Sequence, residues 1–513
     1  MTAARAMTLG AMLATTLAVT VALGKGPASN SMPAGLTTTT SAATVIPLGK
    51  GMTNALYIDA DGDGYGVGSP NGPDADDTDK TVNTPDTVTT RYGTLPRFLA
   101  ARGVSGRVFY ISPTGSDRTG RSDNSDKPYA TFAKVAGQLA PGDAAVFQAG
   151  KYDGERIIVA KGLRGRANKP IFILAQCGAS VVLDATDACI DIDSCRNLVI
   201  DGFVCGNTQS KREGRGVTMK FSRGITLANL EIVNHFWGII GMQDLHQVTI
   251  DSCVIHDNPH EHGIYLGSRE QPNSELGVRN CLIYRNAQQG FQHNGRVRNL
   301  LLEGNIIHSN GQAGIQLMQG VSDSTIHGNL IFNNAKQGIC MYNYDSSDDS
   351  IRPFDQTGNI FEDNIVWIGR EDPFGEYSTE TYAAVLFNDS TKRKGGSFDG
   401  NTFRRNVLVT SDGPAFWFRQ PRFAAKTAIE NNVIFRTGEG PDGGKGKVMV
   451  FGEKAYDFAA FAAFSGTFKD NVYGDPSFAA CGVEDFKTPE KFDFRCPGPS
   501  PVTKMRATTR PAR

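Results

Sequence analysis

The chain has 513 residues, and its 52 Lys and Arg against 53 Asp and Glu give a formal net charge of −1. This balance predicts no basic surface for nucleic acid, so we expect no nucleic-acid partner. The length would allow about three globular domains, unless a repeat extends the chain without a single core.

The first 24 residues have the features of a secretory signal. Arg5 gives a positive start, residues 8–23 form an uncharged apolar run, and Ala22–Gly24 offers the small residues of a cleavage site. An uncleaved membrane anchor is the alternative, but the run is slightly short of the roughly 20 apolar residues that span a bilayer. Residues 25–50, rich in Ser, Thr, Ala, Gly and Pro, predict a disordered linker. We therefore predict a secreted or cell-surface protein with no membrane span after cleavage.

Residues 51–90 carry an Asp-rich motif, LYIDADGDGYGVGSPNGPDADDTDKTV. Ca²⁺ prefers six to eight oxygen ligands, and closely spaced carboxylates on a Gly-broken loop supply them. The predicted ligands are Asp59, Asp61, Asp63, Asp74, Asp76, Asp77 and Asp79. An EF-hand is excluded, because Pro70 stands where its bidentate Glu is needed. The motif resembles the calcium repeats of thrombospondin-type modules, although Ala75 stands where those often carry Cys; a solvated acidic spacer is the alternative.

The folded body is predicted to begin near residue 107. Thr131 is suited to cap a helix in which Phe132, Val135 and Leu139 share one face. Such a helix can cover the open end of a stack of strands, whose edges would otherwise be exposed. We expect residues 1–90 to lie outside this body.

The middle of the chain, Ile225–Tyr344, repeats itself. Within each unit apolar residues alternate with polar ones, as at Val248 and Ile250, which is the period of a strand. Three columns of residues recur at spacings of 23 to 28 residues: Leu230, Cys253, Cys281, Asn305 and Asn329; Asn258, Asn286, Asn310 and Asn334; and Gly238, Gly263, Gly290, Gly314 and Gly338. Asn tolerates left-handed bends and stacked amides can bond to one another, so the Asn columns are predicted to be structural.

The lines NCLIYRNAQQGFQHNG, GNIIHSNGQAGIQL and GNLIFNNAKQGICMY resemble the coils of the pectate-lyase-like superfamily. The resemblance covers residues 107–500. It implies an all-β fold, a single-stranded right-handed parallel β-helix with an N-terminal capping helix, followed by a tail at 501–513. On the order of twelve coils would give a body about 55–60 Å long. The fold hosts lyases, hydrolases, epimerases and adhesins, so it does not fix the activity.

The nine Cys residues are an odd number, so at least one is unpaired. Cys253 and Cys281 share an inward column, and we expect stacked buried thiols there. Cys481 and Cys496 could close a surface loop in an oxidising compartment.

All eight His lie between His235 and His327. His256 and His308 share a repeat position with Tyr284 and Phe332, so we expect them to pack in an aromatic slot. The stretch NPHEHGIYLG differs, because it adds charge before a Gly-led strand. The predicted catalytic residues are His260, Glu261, His262, Tyr265 and His293, and the predicted substrate-binding residues are Arg269, Gln292, Arg296 and Gln316.

We expect Tyr265 to face outward, with Gln292 and Gln316 beside it on the next two coils. His293 should lie at the inner or turn edge of its strand. Insertions at 345–358 and 369–397 and a basic loop at 211–215 could wall a groove on this side.

A polysaccharide lyase removes a proton next to a uronate carboxylate, and it needs a base, an acid and a group that neutralises the carboxylate. We expect His260 or His262 as the base, because neutral His accepts a proton near pH 7. Tyr265 would be the acid, and Arg269 or Arg296 would hold the carboxylate. The predicted function is β-elimination of an acidic polysaccharide by a secreted monomer, with Ca²⁺ at the Asp-rich motif as cofactor.

Three alternatives stay open. A polysaccharide-binding or adhesin solenoid needs the same polar surface without chemistry. A glycoside hydrolase would need two facing carboxylates, of which Glu261 is the one well placed. A C5-epimerase is suggested by Pro259–Glu261, which resembles the DPHE motif of alginate C5-epimerases with Asn258 in place of its Asp.

Overall fold

A computed structural model describes residues 63–67, 69, 71, 74–75, 79–208, 214–268, 271–344, 354–369, 382–391, 396–411, 413–420, 426–437, 448–458, 460, 468–477 and 500–501. The predicted signal peptide, the linker, Arg269 and the Cys481–Cys496 pair lie outside the described residues. Predictions that concern them remain predictions.

The described residues form three short helices, α1 (Pro85–Tyr92), α2 (Leu95–Ala101) and α3 (Phe132–Ala136). None of these helices has the length and apolar character needed to cross a bilayer.

The strands of the first half are β1 (Val108–Ile111), β2 (Ala144–Phe147), β3 (Gly150–Lys161), β4 (Ile171–Ala175), β5 (Val181–Asp193), β6 (Arg196–Asp201), β7 (Val204–Gly206), β8 (Arg215–Lys220), β9 (Arg223–Ala228), β10 (Glu231–Val233), β11 (Trp237–Met242), β12 (His246–Asp251), β13 (Val254–His256), β14 (Ile264–Gly267), β15 (Asn273–Arg279), β16 (Leu282–Tyr284), β17 (Phe291–Asn294) and β18 (Val297–Arg298). The remaining strands are β19 (Leu301–Glu303), β20 (Ile306–His308), β21 (Ile315–Met318), β22 (Val321–Ser322), β23 (Thr325–His327), β24 (Leu330–Phe332), β25 (Gln337–Asn343), β26 (Ile360–Glu362), β27 (Ile365–Ile368), β28 (Ala383–Asp389), β29 (Thr402–Arg404), β30 (Val407–Thr410), β31 (Phe416–Phe418), β32 (Ala428–Glu430), β33 (Val433–Arg436), β34 (Met449–Phe451), β35 (Lys454–Tyr456), β36 (Phe468–Lys469) and β37 (Val472–Tyr473).

These strands form a solenoid of parallel strands. One sheet runs β1-β2-β4-β6-β9-β12-β15-β19-β23-β26-β29-β32-β36, and every step in it joins strands one coil apart. The second sheet contains two strands per coil through the middle of the chain, so that β13 pairs with β16 while β14 pairs with β17. Parallel stacking with a turn after each strand confirms the predicted parallel β-helix.

The interior is held by apolar side chains and by ladders of Asn amides at the bends. Asn305 Nδ2 donates to Asn329 Oδ1, and Asn329 Nδ2 donates to Asn364 Oδ1, each at 2.9 Å. The ladder continues through Asn406, Asn432 and Asn471 at 2.9–3.0 Å. Because these amides are buried, each hydrogen bond satisfies a polar group that would otherwise be costly to bury. The predicted structural role of the Asn columns is confirmed.

A second Asn ladder explains the Gly column. Asn286 Nδ2 donates to Asn310 Oδ1 at 2.9 Å, and Asn310 Nδ2 donates to Asn334 Oδ1 at 2.9 Å. A Cβ at Gly263 would lie 2.8 Å from Asn286 Nδ2, and one at Gly290 would lie 2.8 Å from Asn310 Nδ2. Glycine therefore recurs because the neighbouring amide leaves no room for a side chain.

The first sheet carries alternating charge on its outer side, which we call the charge-ladder face. In register, one residue per coil, the column is Asp251, Arg279, Glu303, His327, Glu362, Arg404, Glu430 and Lys469. Arg279 Nε lies 2.8 Å from Asp251 Oδ2, and Arg404 Nε lies 2.7 Å from Glu362 Oε2. Each carboxylate in this column therefore has a cationic or imidazole neighbour one coil away.

The N-terminal end of the solenoid is covered by a helix as predicted, although α3 ends at Ala136 and Leu139 lies beyond it. Thr131 caps α3, and Phe132 and Val135 of that helix are buried in the main core. The described part of the Asp-rich segment also packs on the body, although we expected residues 1–90 to lie outside it. Ala75 packs with Val82, Val88 and Phe98, and Cys177 Sγ donates to the Ala75 carbonyl at 3.1 Å. Apolar residues flanking the acidic positions account for this docking.

Cys253 and Cys281 are fully buried free thiols, which confirms the prediction for this column. The aromatic slot is confirmed as well. The rings of His256, Tyr284, His308 and Phe332 stack in that order, with centroids 4.9, 5.1 and 4.7 Å apart.

Candidate functional site

The outer surface of β8, β11, β14, β17, β21 and β25 carries the predicted site, and we call it the site face. Alternation along each strand sends one residue inward and the next outward. Tyr265 is paired in register with Gln292, and Gln292 is paired with Gln316. The predicted outward orientation of Tyr265 and its two Gln neighbours is therefore confirmed.

Glu261 lies in the turn that precedes β14, with its side chain 19% exposed. Burial raises the pKa of the Glu261 carboxyl to about 7, because a carboxylate is disfavoured away from water. Among the described residues, Glu261 is the one carboxyl on the six strands of the site face and the three residues preceding each. It is thus a single proton carrier that titrates near neutral pH.

His262 lies beside Glu261 and is 6% exposed. Burial lowers the pKa of its imidazole to about 3, so the ring is neutral at pH 7. The backbone N–H of Gln289 donates to Nδ1 at 3.3 Å, which assigns the ring proton to Nε2. Nε2 lies 3.3 Å from Glu261 Oε2. Because Nδ1 already accepts a hydrogen bond and Nε2 carries the proton, His262 is poorly suited to the predicted role of base.

Tyr265 stacks on His262, with ring centroids 5.2 Å apart and an interplanar angle of 18°. Asn294 Nδ2 donates to Tyr265 Oη at 3.3 Å and to Tyr344 Oη at 3.1 Å. The Tyr265 hydroxyl thus accepts a hydrogen bond from the next coil, and a phenol can also donate its proton. This arrangement suits the predicted role of acid.

Amide side chains extend the site along the solenoid axis. Gln289 Nε2 donates to Gln312 Oε1 at 3.1 Å and to Gln316 Oε1 at 2.5 Å. Gln316 Nε2 in turn lies 3.9 Å from Cys340 Sγ. These bonds fix the amides in one arrangement, so the face offers a preset row of polar groups next to Tyr265.

The other predicted residues fall in different places. His260 is exposed, and its ring stacks on Phe236 at a centroid distance of 5.2 Å. His293 faces the interior, is fully buried, and accepts a contact from Asn273 Nδ2 at 3.3 Å. A side chain inside the coil cannot contact a ligand on the surface, so the predicted catalytic role of His293 is wrong. The guanidinium of Arg296 lies over the Phe354 ring, 4.7 Å from its centroid.

Several residues of the site were missed by sequence reasoning. Register places Trp237 beside His262, and the guanidinium of Arg215 lies 5.6 Å from the Trp237 ring centroid. Gln289 and Asn294 were also missed, although they contact His262 and Tyr265 directly. Tyr344, whose hydroxyl accepts from Asn294, was missed as well. The residue before each Gly of the Gly column occupies the same position on its coil, so the sequence could have paired Trp237 with His262 and His262 with Gln289.

Of the predicted calcium ligands, Asp63, Asp74 and Asp79 are among the described residues, and Asp59, Asp61, Asp76 and Asp77 lie outside them. Asp63 Oδ1 accepts from the Tyr65 backbone N–H at 2.9 Å. Asp79 Oδ1 accepts from the Thr81 hydroxyl at 2.6 Å, and Asp79 Oδ2 lies 3.7 Å from Arg91 Nε. These partners lower the pKa of the Asp79 carboxyl. Within the described ranges, no cluster of three or more His, Cys, Asp or Glu could hold a metal ion.

Comparison with known proteins supports the fold. Residues 178–331 match the family described as the right handed beta helix region. No curated protein matches the sequence. The family match over residues 178–331 and the stacked parallel sheets together show that the fold is a right-handed parallel β-helix.

The solved structures that match this chain share little of its amino-acid sequence. A lacto-N-biosidase from Eubacterium ramulus is 14% identical, with a TM-score of 0.48, covering 74% of this chain and 69% of its own. A mannuronan C-5 epimerase A-module from Azotobacter vinelandii is 13% identical, with a TM-score of 0.46, covering 67% and 89%. A pectate lyase is 14% identical, with a TM-score of 0.36, covering 66% and 72%. At these identities and TM-scores the likeness carries no inference about the activity or substrate of this chain.

Proposed function

We propose that this protein binds an acidic polysaccharide along the site face and cleaves it by β-elimination, with Glu261 as the base. The observation that supports the proposal is the single carboxyl with a pKa of about 7. A base whose pKa is close to the working pH is partly deprotonated and still strong enough to take a proton. His260 and His262 are thereby replaced as the base.

In the proposed step, the Glu261 carboxylate takes the proton from the carbon next to the uronate carboxyl group. The electron pair of that C–H bond forms a C=C bond, while the bond from the adjacent ring carbon to the glycosidic oxygen breaks. The departing oxygen takes the proton of the Tyr265 hydroxyl. The products are one chain with an unsaturated uronate at its end and one with a free hydroxyl.

The charge on the substrate carboxylate must be neutralised for this proton to become acidic. Arg296 is the candidate among the described residues, because its guanidinium is held over the Phe354 ring at 4.7 Å on the side where β17 ends. Arg269 stays a second prediction. A planar guanidinium can bind a carboxylate with two parallel hydrogen bonds.

Hydrolysis is supported less well by the described part of the site face. Two-carboxylate hydrolysis requires a second carboxyl across the scissile bond, and this face offers Glu261 alone among the described residues. Proton abstraction needs one titratable carboxyl, which is what the geometry provides. The Gln ladder and the partly exposed ring of Tyr265 give hydrogen bonds and an apolar contact for neighbouring sugars.

The experiment is a screen of the purified chain on pectate, alginate and glycosaminoglycans, following the ultraviolet absorbance of unsaturated uronate. Glu261→Gln should lower turnover by about 10²- to 10⁴-fold, the usual range for removing a general base. The matched control is Glu303→Gln on the charge-ladder face, which should stay within about twofold of wild type because it lies outside the site.

Other outcomes identify the alternatives. New reducing ends without ultraviolet absorbance would mean hydrolysis. A changed uronate configuration without cleavage would mean epimerisation. Retained binding without turnover on any substrate would mean a binding protein or adhesin. Full turnover by Glu261→Gln would overturn the assignment of the base.

We also propose that the Asp-rich motif binds Ca²⁺ through Asp59, Asp61, Asp63, Asp74, Asp76, Asp77 and Asp79, and that the protein is exported as a monomer after cleavage near Gly24. Hard carboxylate oxygens at close spacing support the calcium site. Calorimetry of the full chain should show a heat of calcium binding that disappears in Asp61→Ala.

Export is tested by mass spectrometry of the mature protein, which should find the first 24 residues removed. An intact Met1 would argue against export.

A further inference from the structure

The proposed reaction uses Glu261 and Tyr265 but leaves His262, which lies between them, without a part. We infer that His262 is a positioning residue, whose Nε2–H holds the Glu261 carboxylate in place and whose ring sets the position of Tyr265. Its catalytic meaning rests on the proposed function, whereas its effect on Glu261 can be measured without any substrate.

The His262 ring is fixed on three sides. The Gln289 backbone N–H donates to Nδ1 at 3.3 Å, and that N–H belongs to the next coil. The Tyr265 ring covers one face of the imidazole at a centroid distance of 5.2 Å. Only 6% of the residue is exposed. A ring held in this way has its Nε2–H aimed in one direction.

The Glu261 carboxyl lies beside this nitrogen. Nε2 lies 3.3 Å from Oε2, within reach of a hydrogen bond that can shorten when the carboxyl becomes charged. A hydrogen bond from a neutral donor favours the charged carboxylate over the protonated acid. His262 thus counteracts part of the burial that disfavours the charge on Glu261.

Few other groups can have this effect. His260 precedes Glu261 in the chain, but its ring is stacked on Phe236. Backbone hydrogen bonds link Glu261 to Gln288, Gln288 to Gln312 and Gln312 to Lys336, so the ammonium of Lys336 is three coils away. Among the described residues, His262 is the titratable side chain in contact with the Glu261 carboxyl, and its Nε2 lies 3.3 Å from Oε2.

Two substitutions separate the donor from the ring. His262→Phe keeps a flat ring against Tyr265 and removes the N–H. His262→Gln loses the ring and offers a side-chain amide that can donate to Glu261. The Glu261 carboxyl is followed by NMR of the full chain labelled with ¹³C-glutamate, and its signal is assigned by its absence in Glu261→Gln.

In His262→Phe the Glu261 titration midpoint should rise by about one to two pH units, the shift expected for losing one hydrogen bond to a charged group. In His262→Gln it should stay within about half a unit of wild type. If lyase activity is found, the acidic side of its pH–rate profile should shift in each variant by the same amount as the Glu261 midpoint. Circular dichroism checks that each variant remains folded.

The inference and the proposed function fail separately. An unchanged Glu261 midpoint in a folded His262→Phe would overturn the positioning role, whatever the activity. Equal shifts in His262→Phe and His262→Gln would also overturn it, because the ring and not the donor would then set the midpoint. Full activity of Glu261→Gln would overturn the proposed base and leave the titration result standing.

Discussion

The charge-ladder face and the site face lie on the same coils, yet they treat carboxyl groups in opposite ways. On the charge-ladder face, Asp251 and Glu362 each contact an arginine one coil away at 2.8 and 2.7 Å. Arg404 and Arg405 lower the pKa of Glu362, the usual result of cationic partners. On the site face, Glu261 lies beside a neutral imidazole, and burial raises its pKa to about 7.

The difference shows how a repeat fold separates support from chemistry. A carboxyl paired with arginine stays charged at neutral pH and serves to link neighbouring coils. A carboxyl flanked by amides and a neutral ring can gain or lose a proton near pH 7. A candidate site on a solenoid is therefore found where the pattern of paired charges stops.

The largest effect is expected inside the second sheet, below the site face. Burial lowers the pKa of His293 to about 3, so the unfolded chain binds a proton at higher pH than the folded one. The stability that the neutral His293 contributes is complete above about pH 6.5 and is lost as the pH falls toward 3. At pH 4 the loss is about 3 kcal/mol of unfolding free energy. His293→Leu fits between Leu266 and Leu317 in register and should remove this loss.

The measurement is urea unfolding at pH 7 and pH 4. The difference between the two free energies of unfolding should be smaller in His293→Leu than in wild type by about 3 kcal/mol. Equal differences in the two proteins would show that His293 does not resist protonation in the fold.

A smaller effect is expected from making the site face resemble the charge-ladder face. Gln288 follows Glu261 in register, and its backbone N–H donates to the Glu261 carbonyl at 3.2 Å. Gln288→Lys would place an ammonium one coil from Glu261 and should lower its pKa by about one to three units. The same NMR titration measures the change, with Gln288→Met as the uncharged control. A midpoint that stays near 7 in the lysine variant would contradict the proposed contrast between the faces.

The smallest effect is expected from breaking the charge ladder. Arg279 is 46% exposed in its side chain where it contacts Asp251. Arg279→Gln should cost at most about 1 kcal/mol of unfolding free energy, because solvent and salt screen exposed ion pairs. A double-mutant cycle with Asp251→Asn measures the coupling at low and high salt. A coupling of several kcal/mol that resists salt would mean that the ladder is a main source of stability.

The fold was predictable from the sequence because its signals are local and repeated. Alternating apolar residues gave the strands, and the Asn and Gly columns gave the bends and the register between coils. That register also placed Gln292 and Gln316 beside Tyr265 correctly. The packing of Ala75 and Val82 on the body was not predicted, because apolar residues within an acidic segment do not reveal which surface they will cover.

The roles within the site were harder to predict. The sequence shows two His residues beside Glu261, and an imidazole has an ordinary pKa closer to 7 than a carboxyl has. Burial reverses that order, since it lowers the pKa of His262 to about 3 and raises that of Glu261 to about 7. His293 alternates with Gln292 along β17, so the strand period that sends Gln292 outward sends His293 inward.

The Asn ladder has a consequence for how such a protein can change over evolution. Between Asn329 and Asn364 the chain takes 35 residues, and between Asn364 and Asn406 it takes 42, yet both amide bonds measure 2.9 Å. Extra residues between the rungs therefore do not alter the spacing of the amides, and lengthening a surface loop costs little closure entropy. The solenoid therefore works as a fixed frame with exchangeable inserts, in which the loops bordering a binding surface can be replaced while the frame is inherited unchanged.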